Sequence, residues 1–411
     1  MNAAPPFPSL WTNRSFVRLW VAKTVSGIGS SITATAIPLT AAFALDATPG
    51  QMAALVFAGQ LPDLLFGLIA GVWVDRVRRR PILIVTDLGR ALLLAVIPVA
   101  AFFGMLSMPL LWLVAFGSAA LTLFFTLASV AVLPAIVRED QLVDANSKLH
   151  MSEAVLTLAG PGAAGVLIQL VTAPKAIIVD VVSFLVSAFS LGGIAAAEPK
   201  PEKRESGLRA IGREIGEGMR ELIRTPLLRA LALTMGLIVV GGAMVATVGI
   251  LFLARTLSLP PGTIAVLPAC AGVGTMIGAV IAGRAANRLT LGGAIVGAGL
   301  LEAFAMLLTP SAALLAYPIP LLVVTGVLSG IAYSVLSINQ ISLRQRITPI
   351  HLLGRVTAAR RFLIFCMAPV GAVAGGWMGA HLGYEATMLA GGCVTLVAAL
   401  WMWGSPIRDA R

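Results

Sequence analysis

The sequence predicts an all-α membrane protein of twelve transmembrane helices in two pseudo-symmetric six-helix halves. Three observations predict it. The chain of 411 residues is 58% hydrophobic and only 11% charged, whereas a soluble domain is about a quarter charged. Its apolar residues fall into twelve windows, each close to the ~20 residues that cross a bilayer. Features at the end of the second window and within the fifth recur about half a chain later.

The windows are bounded by charges or by Pro/Gly turns. In the first part of the chain they cover about 16–44, 52–74, 81–103, 109–136, 148–171 and 175–197. Pro49-Gly50 separates the first two, the Arg76–Pro81 turn the next, Gly104 the third and fourth, Arg138 to Lys148 the fourth and fifth, and Pro174-Lys175 the last two. The second set covers about 229–254, 262–283, 291–312, 317–343, 360–382 and 386–404, with breaks at Arg255, Arg284 to Arg288, Pro310, Arg344 to Arg360, and Gly383. The expected division is an N-terminal half, 1–197, a linker, 198–228, and a C-terminal half, 229–411.

Basic residues orient the spans. One side holds only Lys175 and Arg255. The other holds Arg14, Arg18, Arg76, Arg78, Arg79, Arg80, Arg138, Lys148, the linker, Arg284, Arg288, Arg344, Arg346, Arg355, Arg360, Arg361, Arg408 and Arg411. That side is expected to be cytoplasmic, with both termini there, in a bacterial-type cytoplasmic (inner) membrane. The net charge of +11 is thereby explained without nucleic acid. In the linker, Leu208, Ile211, Ile215, Met219, Leu222 and Ile223 form an apolar stripe opposite Arg209, Arg213, Glu214, Glu217, Arg220, Glu221 and Arg224. Such a helix lies on the inner leaflet or serves as a solvated linker.

The repeat is visible in two places. Gly71-x-x-x-Asp75-Arg76 returns as Gly283-x-x-x-Asn287-Arg288, and Ala159-Gly160-Pro161 as Met367-Ala368-Pro369, with offsets of 212 and 208. Parallel repeats of this kind build transporters. Gly71-Val72-Trp73-Val74-Asp75-Arg76-Val77-Arg78-Arg79-Arg80-Pro81 resembles the Major Facilitator Superfamily signature G-x-x-x-D-R-x-G-R-[RK], with Arg78 in place of its second glycine. That substitution, with Arg18-Leu19-Trp20 and Asp87-x-x-Arg90, resembles the macrolide-efflux and enterobactin-exporter branch of the drug:proton antiporters.

The resemblance implies alternating access, with Gly71, Asp75, Arg76, Arg79, Arg80, Asp87 and Arg90 as a gating motif. Asp75 would sit at the N-terminus of the eleventh helix, where the helix dipole favours an anion, and the arginines would pair with Asp87. Gly160-Pro161-x-x-x-Gly165 resembles the span-five motif of antiporters, with Ala164 where a paired glycine would be. Span four, where many proton-coupled relatives carry an arginine, holds no charge between residues 109 and 136.

Four acids fall inside spans. Asp63 lies mid-span, where a charge costs about 2.5–3.5 kcal/mol, and is the expected proton-coupling or cation-neutralising group. Glu153, Asp180 and Glu302 are further candidates, read as more structural: Glu153 and Asp180 reach water by snorkelling, and Lys23 either pairs with one of the acids or snorkels. Gly59, Asp63, Gly67, Gly71 and Asp75 share one face of span two, and Gly371, Gly375, Gly379 and Gly383 one face of span eleven. Small residues at this spacing allow close packing, and the family fold implies that the two stripes face each other. The same resemblance places the substrate cavity among spans one, four, seven and ten, with Ser30, Thr33, Thr126, Met244, Tyr333, Asn339 and Gln340 as candidates. This mixture suits a bulky amphiphilic or lipophilic molecule.

The reading is therefore a secondary transporter, exporting drug-like or amphiphilic molecules and coupled to proton influx. An uptake symporter or lipid flippase on the same scaffold is the alternative. A membrane enzyme fits poorly, since no H-E-x-x-H occurs, and an ATP-driven pump lacks the G-x-x-x-x-G-K-[ST] loop. Cys270, Cys366 and Cys393 lie in apolar runs without ligand spacing, so no metal or cofactor is expected. The partners are the bilayer, a small-molecule substrate and protons, and a monomer suffices.

Overall fold

The computed structural model describes residues 10–194, 208–349, 352–408 and 410. The side chain of Asp75, the linker residues 198–207, the side chains of 208–215, His351 and Arg411 lie outside what is described.

The N-terminal helices are α1 (Arg14–Ala44), α2 (Pro49–Asp75), α3 (Arg79–Phe102), α4 (Met108–Ile136), α5 (Leu142–Val171) and α6 (Ala173–Gly192). Then come α7 (Leu208–Arg224), α8 (Pro226–Leu251), α9 (Pro261–Leu308), α10 (Ile319–Ile347), α11 (Leu353–His381) and α12 (Tyr384–Trp403). The α9 helix is two spans, not one. Thr290 breaks it with φ 73° and ψ 163° into arms 261–289 and 291–308. With both arms counted and α7 set aside, twelve helices of spanning length result, as the sequence predicts.

Local chemistry explains the boundaries. Asn13 caps α1 by accepting from the amides of Ser15 and Phe16 at 3.0 and 3.1 Å. Thr48 and Gln51 form a capping box ahead of α2, with Pro49 in its first turn. Several helices extend past the apolar windows: α5 starts at Leu142 rather than 148, and α11 at Leu353 rather than 360. Their first turns are polar and stand outside the hydrocarbon, where hydropathy carries no signal. The turns into α6 and α12 both need positive φ, at Thr172 (81°) and Gly383 (88°). They are 383 − 172 = 211 positions apart, the repeat offset again.

Helices meet through small residues. A Cβ on Gly330 would overlap the Ala271 carbonyl, and one on Gly274 the Val327 carbonyl, so the first arm of α9 and α10 lie backbone to backbone. The linker helix α7 packs in part on the protein. Met219 and Leu222 seat on Ala232, Ala359 and Leu363 of α8 and α11, and Glu217 pairs with Arg355 at 2.5 Å. Met219 and Leu222 of its apolar stripe are thus in contact with protein.

Candidate functional site

The two sets of helices touch mainly on the arginine-poor side. There a Cβ on Gly376 of α11 would approach Ala53 Cβ to 2.5 Å and the Pro49 carbonyl to 3.2 Å, and Gly379 abuts Pro49. Gly165 of α5 lies against Val266 and the Gly262 carbonyl of α9, and Gly272 against Leu158. Arg255, at the end of α8, donates to Asp46 Oδ1 at 2.5 Å, the Ala47 carbonyl at 2.8 Å and Tyr384 Oη at 3.0 Å. Toward the arginine-rich side the helices separate: nothing stands within 4 Å of a Cβ built on Gly59, Gly67 or Gly71. The expected meeting of the two glycine stripes is corrected. In this state, Gly371 and Gly375 of α11 pack on Val240 and Met244 of α8.

Above the seal lies a cavity of about 600 Å³, within the 300–1,000 Å³ range of small-molecule pockets. Ser30, Thr33 and Ile37 of α1, Met52, Leu55, Gly59 and Gln60 of α2, and Ser118 and Thr122 of α4 line it, with Ala246 and Ile250 of α8 opposite. Arg90 of α3 and Asp180 and Phe184 of α6 complete the wall.

Arg90 and Asp180 belong to a buried charge cluster on α3 and α6 that the gating-motif expectation did not foresee. Asp87, Arg90 and Asp180 are 0%, 3% and 1% exposed. Arg90 pairs with Asp87 one helical turn away, reaches Thr122 Oγ1 at 3.4 Å, and lies between the rings of Phe125 and Phe184 at 4.4 and 4.1 Å. Ser187 donates to Asp87 Oδ2 at 2.5 Å, and Ser183 to Asp180 Oδ1 at 2.9 Å. Gly29 of α1 allows the approach, because a Cβ there would overlap Asp180 and Ser183. Asp87 is therefore not the partner of the arginine run. Arg80 and Arg18 instead donate to the Gly192 and Gly193 carbonyls at the C-terminus of α6, where the helix dipole favours cations. Nor does Asp180 snorkel. Span four carries no charge of its own, and Arg90 of α3 lies against its Phe125 and Thr122.

The other candidates divide. Ser30 and Thr33 line the cavity. Asp63 is partly exposed and faces Arg361 of α11 at 3.8 Å. Glu153 pairs with Lys23 at 2.9 Å and His150 at 3.1 Å in exposed positions. Glu302 takes a hydrogen bond from Ser329 of α10 on both oxygens, at 2.8 and 2.9 Å, on the far side of the C-terminal helices. Three other candidates do not line this cavity. Thr126 bonds its own helix at Thr122. Met244 is buried on Gly375. Asn339 donates to the Val335 and Ala282 carbonyls, joining α10 to α9. Gln340 is buried and accepts from Arg360, and Tyr333 is exposed. In the span-five motif, Gly160 abuts Ser31 of α1, Gly165 abuts α9, and Pro161 lies inside α5.

Comparison with known proteins agrees with this architecture. The family model for the Major Facilitator Superfamily matches residues 19–310. The chain is 24% identical to the uncharacterized MFS-type transporter YfiS of Bacillus subtilis, covering 98% of this chain and 96% of that one. It is 27% identical to the multidrug efflux pump Tap of Mycolicibacterium fortuitum, with 89% of each covered, and 30% identical to macrolide efflux protein A of Streptococcus pyogenes over 53% of each. Among solved structures, a bacterial homologue of the iron transporter ferroportin in an inward-facing state superposes with a TM-score of 0.74 at 16% identity, covering 97% of this chain and 99% of that one. The nucleoside transporter NupG superposes with 0.74 at 11% identity, covering 95% and 98%. With twelve spans, the half-chain repeat and a family match across most of its length, the chain belongs to the Major Facilitator Superfamily, and it is a multi-pass membrane transporter.

Proposed function

We propose that the protein is a secondary active exporter that moves drug-like or amphiphilic molecules out of the cytoplasm, drawing on proton influx. The observation that carries this reading is the cavity beside Asp180, Arg90 and Asp87. Arg90 is paired with Asp87, and Asp180, at the cavity wall, has a hydroxyl from Ser183 but no ion pair among the described residues, so its carboxyl is available for a proton or a cation. Burying such a set without function costs several kcal/mol per unpaired charge. The efflux pumps among its relatives support the direction.

In this reading residues 1–197 and 229–411 are the two rocking halves and 198–228 the cytoplasmic linker. The arginine-rich side is the cytoplasm, and the observed state opens there. Substrate enters from the cytoplasm and settles against α1, α2 and α4. Rocking then parts the Arg255–Asp46 seal and brings the arginine-rich ends together, where the gating motif acts. Asp180 and Asp63 are the two groups placed to exchange a proton with the space.

The test is ethidium accumulation in energised bacteria expressing native protein, Asp180→Asn or Asp63→Asn at matched levels. Native cells should hold less dye than empty cells, a protonophore should erase the difference, and Asp180→Asn should lose it. Native cells that accumulate as much dye as empty ones would remove ethidium-type efflux. Full export by both variants would remove the coupling role of these acids.

A further inference from the structure

The C-terminal half carries charge that the protein does not neutralise. Arg344 of α10 is 8% exposed, and neither its Nε nor its Nη1 has a hydrogen-bond partner. Arg360 of α11 donates to Gln340 Oε1 at 3.1 Å and lies within electrostatic range of both Arg344 and Tyr333. Among the described residues no carboxylate pairs with either arginine. The next residue, Arg361, reaches across to Asp63, so this stretch of α11 borders the space between the halves. Two adjacent guanidinium groups that repel each other are costly away from bulk water. An anion between them would remove both the repulsion and the orphaned donors.

The geometry points to a binding site for a carboxylate or phosphate group, formed by Arg344 and Arg360 with Gln340 holding the second arginine in place. Guanidinium forks bind such groups bidentately, through charge-assisted hydrogen bonds. Under the exporter reading, on which this assignment of substrate class rests, the transported molecule is an amphiphile with an anionic group. Its apolar part occupies the cavity against α1, α2 and α4, and its anionic group the α10–α11 wall.

The site is tested by equilibrium binding, independent of transport. The full chain, purified in a maltoside detergent, is titrated with 11-dansylaminoundecanoic acid and separately with its uncharged methyl ester. The acid should bind saturably and more tightly than the ester. Arg344→Gln and Arg360→Gln should each weaken the acid by about ten-fold or more, the weight of a hydrogen bond to a charged group, and leave the ester unchanged. Arg344→Lys should retain part of the preference, which separates lost charge from lost fold. Equal binding of acid and ester overturns the proposal. So does undiminished acid binding in both Gln variants, which would leave the arginines as docking points for the opposite half. Inorganic phosphate that displaces the acid as well as dodecyl phosphate does would overturn the substrate assignment and leave a small-anion site. Failure of native cells to expel the dansyl acid, with acid binding by the purified chain intact, would count against the exporter reading and not against this site.

Discussion

Arg90→Met is the most informative single change. It removes the guanidinium that pairs with Asp87 and fills the slot between Phe125 and Phe184. Asp87, wholly buried, is left with one hydroxyl from Ser187 and with Asp180 nearby. Breaking a buried pair by deleting one partner costs about 3–5 kcal/mol. Two desolvated cation–π interactions add up to about 2 kcal/mol each, partly offset because a methionine packs well on aromatic rings. The net loss should be about 4 kcal/mol. For halves of this size, at about 2–4 °C per kcal/mol, that is a fall of roughly 8–16 °C in the unfolding midpoint, read by tryptophan fluorescence in detergent. The double variant Arg90→Met/Asp87→Leu removes both charges and should recover most of the loss, since buried pairs are often replaceable by apolar residues. A single variant within about 2 °C of native would refute the reasoning, as would a double variant less stable than the single. A stable double variant that also exports normally would make the cluster purely structural.

Three other outcomes follow from the same geometry. Arg255→Ala removes an exposed pair worth about 1 kcal/mol, so membrane-impermeant maleimide should label a cysteine placed at Met52 about five-fold faster from the arginine-poor side; an unchanged rate would assign the seal to the glycine packing alone. Glu217→Gln should loosen α7 from α11 and raise tryptic cleavage at Arg220 and Arg224 a few-fold, with efflux changing in parallel if the linker helix restrains rocking. Gly67→Leu faces open space and should leave the stability within about 0.5 kcal/mol of native while abolishing transport, because the added side chain blocks closure.

The fold was legible because its signals are large. Twelve apolar windows, one-sided arginines and a half-chain repeat each depend on many residues, and errors at helix ends do not disturb them. The candidate site was legible only in part. Ser30 and Thr33 were found because span one was expected to line the cavity. Thr126 and Asn339 lie outside this cavity's lining, and a hydroxyl or amide inside a helix bonds its own backbone or a neighbour's as readily as a ligand. The Asp87–Arg90–Asp180 cluster was missed for a different reason. Asp87 was read as part of the nearby arginine run, although an i,i+3 acid–base pair well inside a span signals a buried pair. Asp180, Ser183 and Ser187 at three- and four-residue spacing mark the matching face of α6. Arg344 and Arg360 were absorbed by the positive-inside count, which cannot tell a surface arginine from one facing inward.

The two glycine stripes were expected to be one device and are used as two. On α11, Gly371 and Gly375 hold the helix against α8, within its own half, while Gly376 and Gly379 meet Pro49 and Ala53 of α2. That helix is thus packed on both faces in the observed state. On α2, Gly59, Gly67 and Gly71 meet nothing, and a helix that keeps glycines on an unpacked face gives up about 0.5–1 kcal/mol at each relative to alanine. At Gly59 the missing side chain leaves room for the cavity; at Gly67 and Gly71 the cost would be offset if another state packed that face. Closure of the arginine-rich side supplies such a state: α2 would swing its bare stripe onto α11 while Pro49 and Ala53 withdraw. Packing released at one end of the α2–α11 pair is then replaced at the other, which keeps the two states close in free energy, as a carrier that must visit both requires.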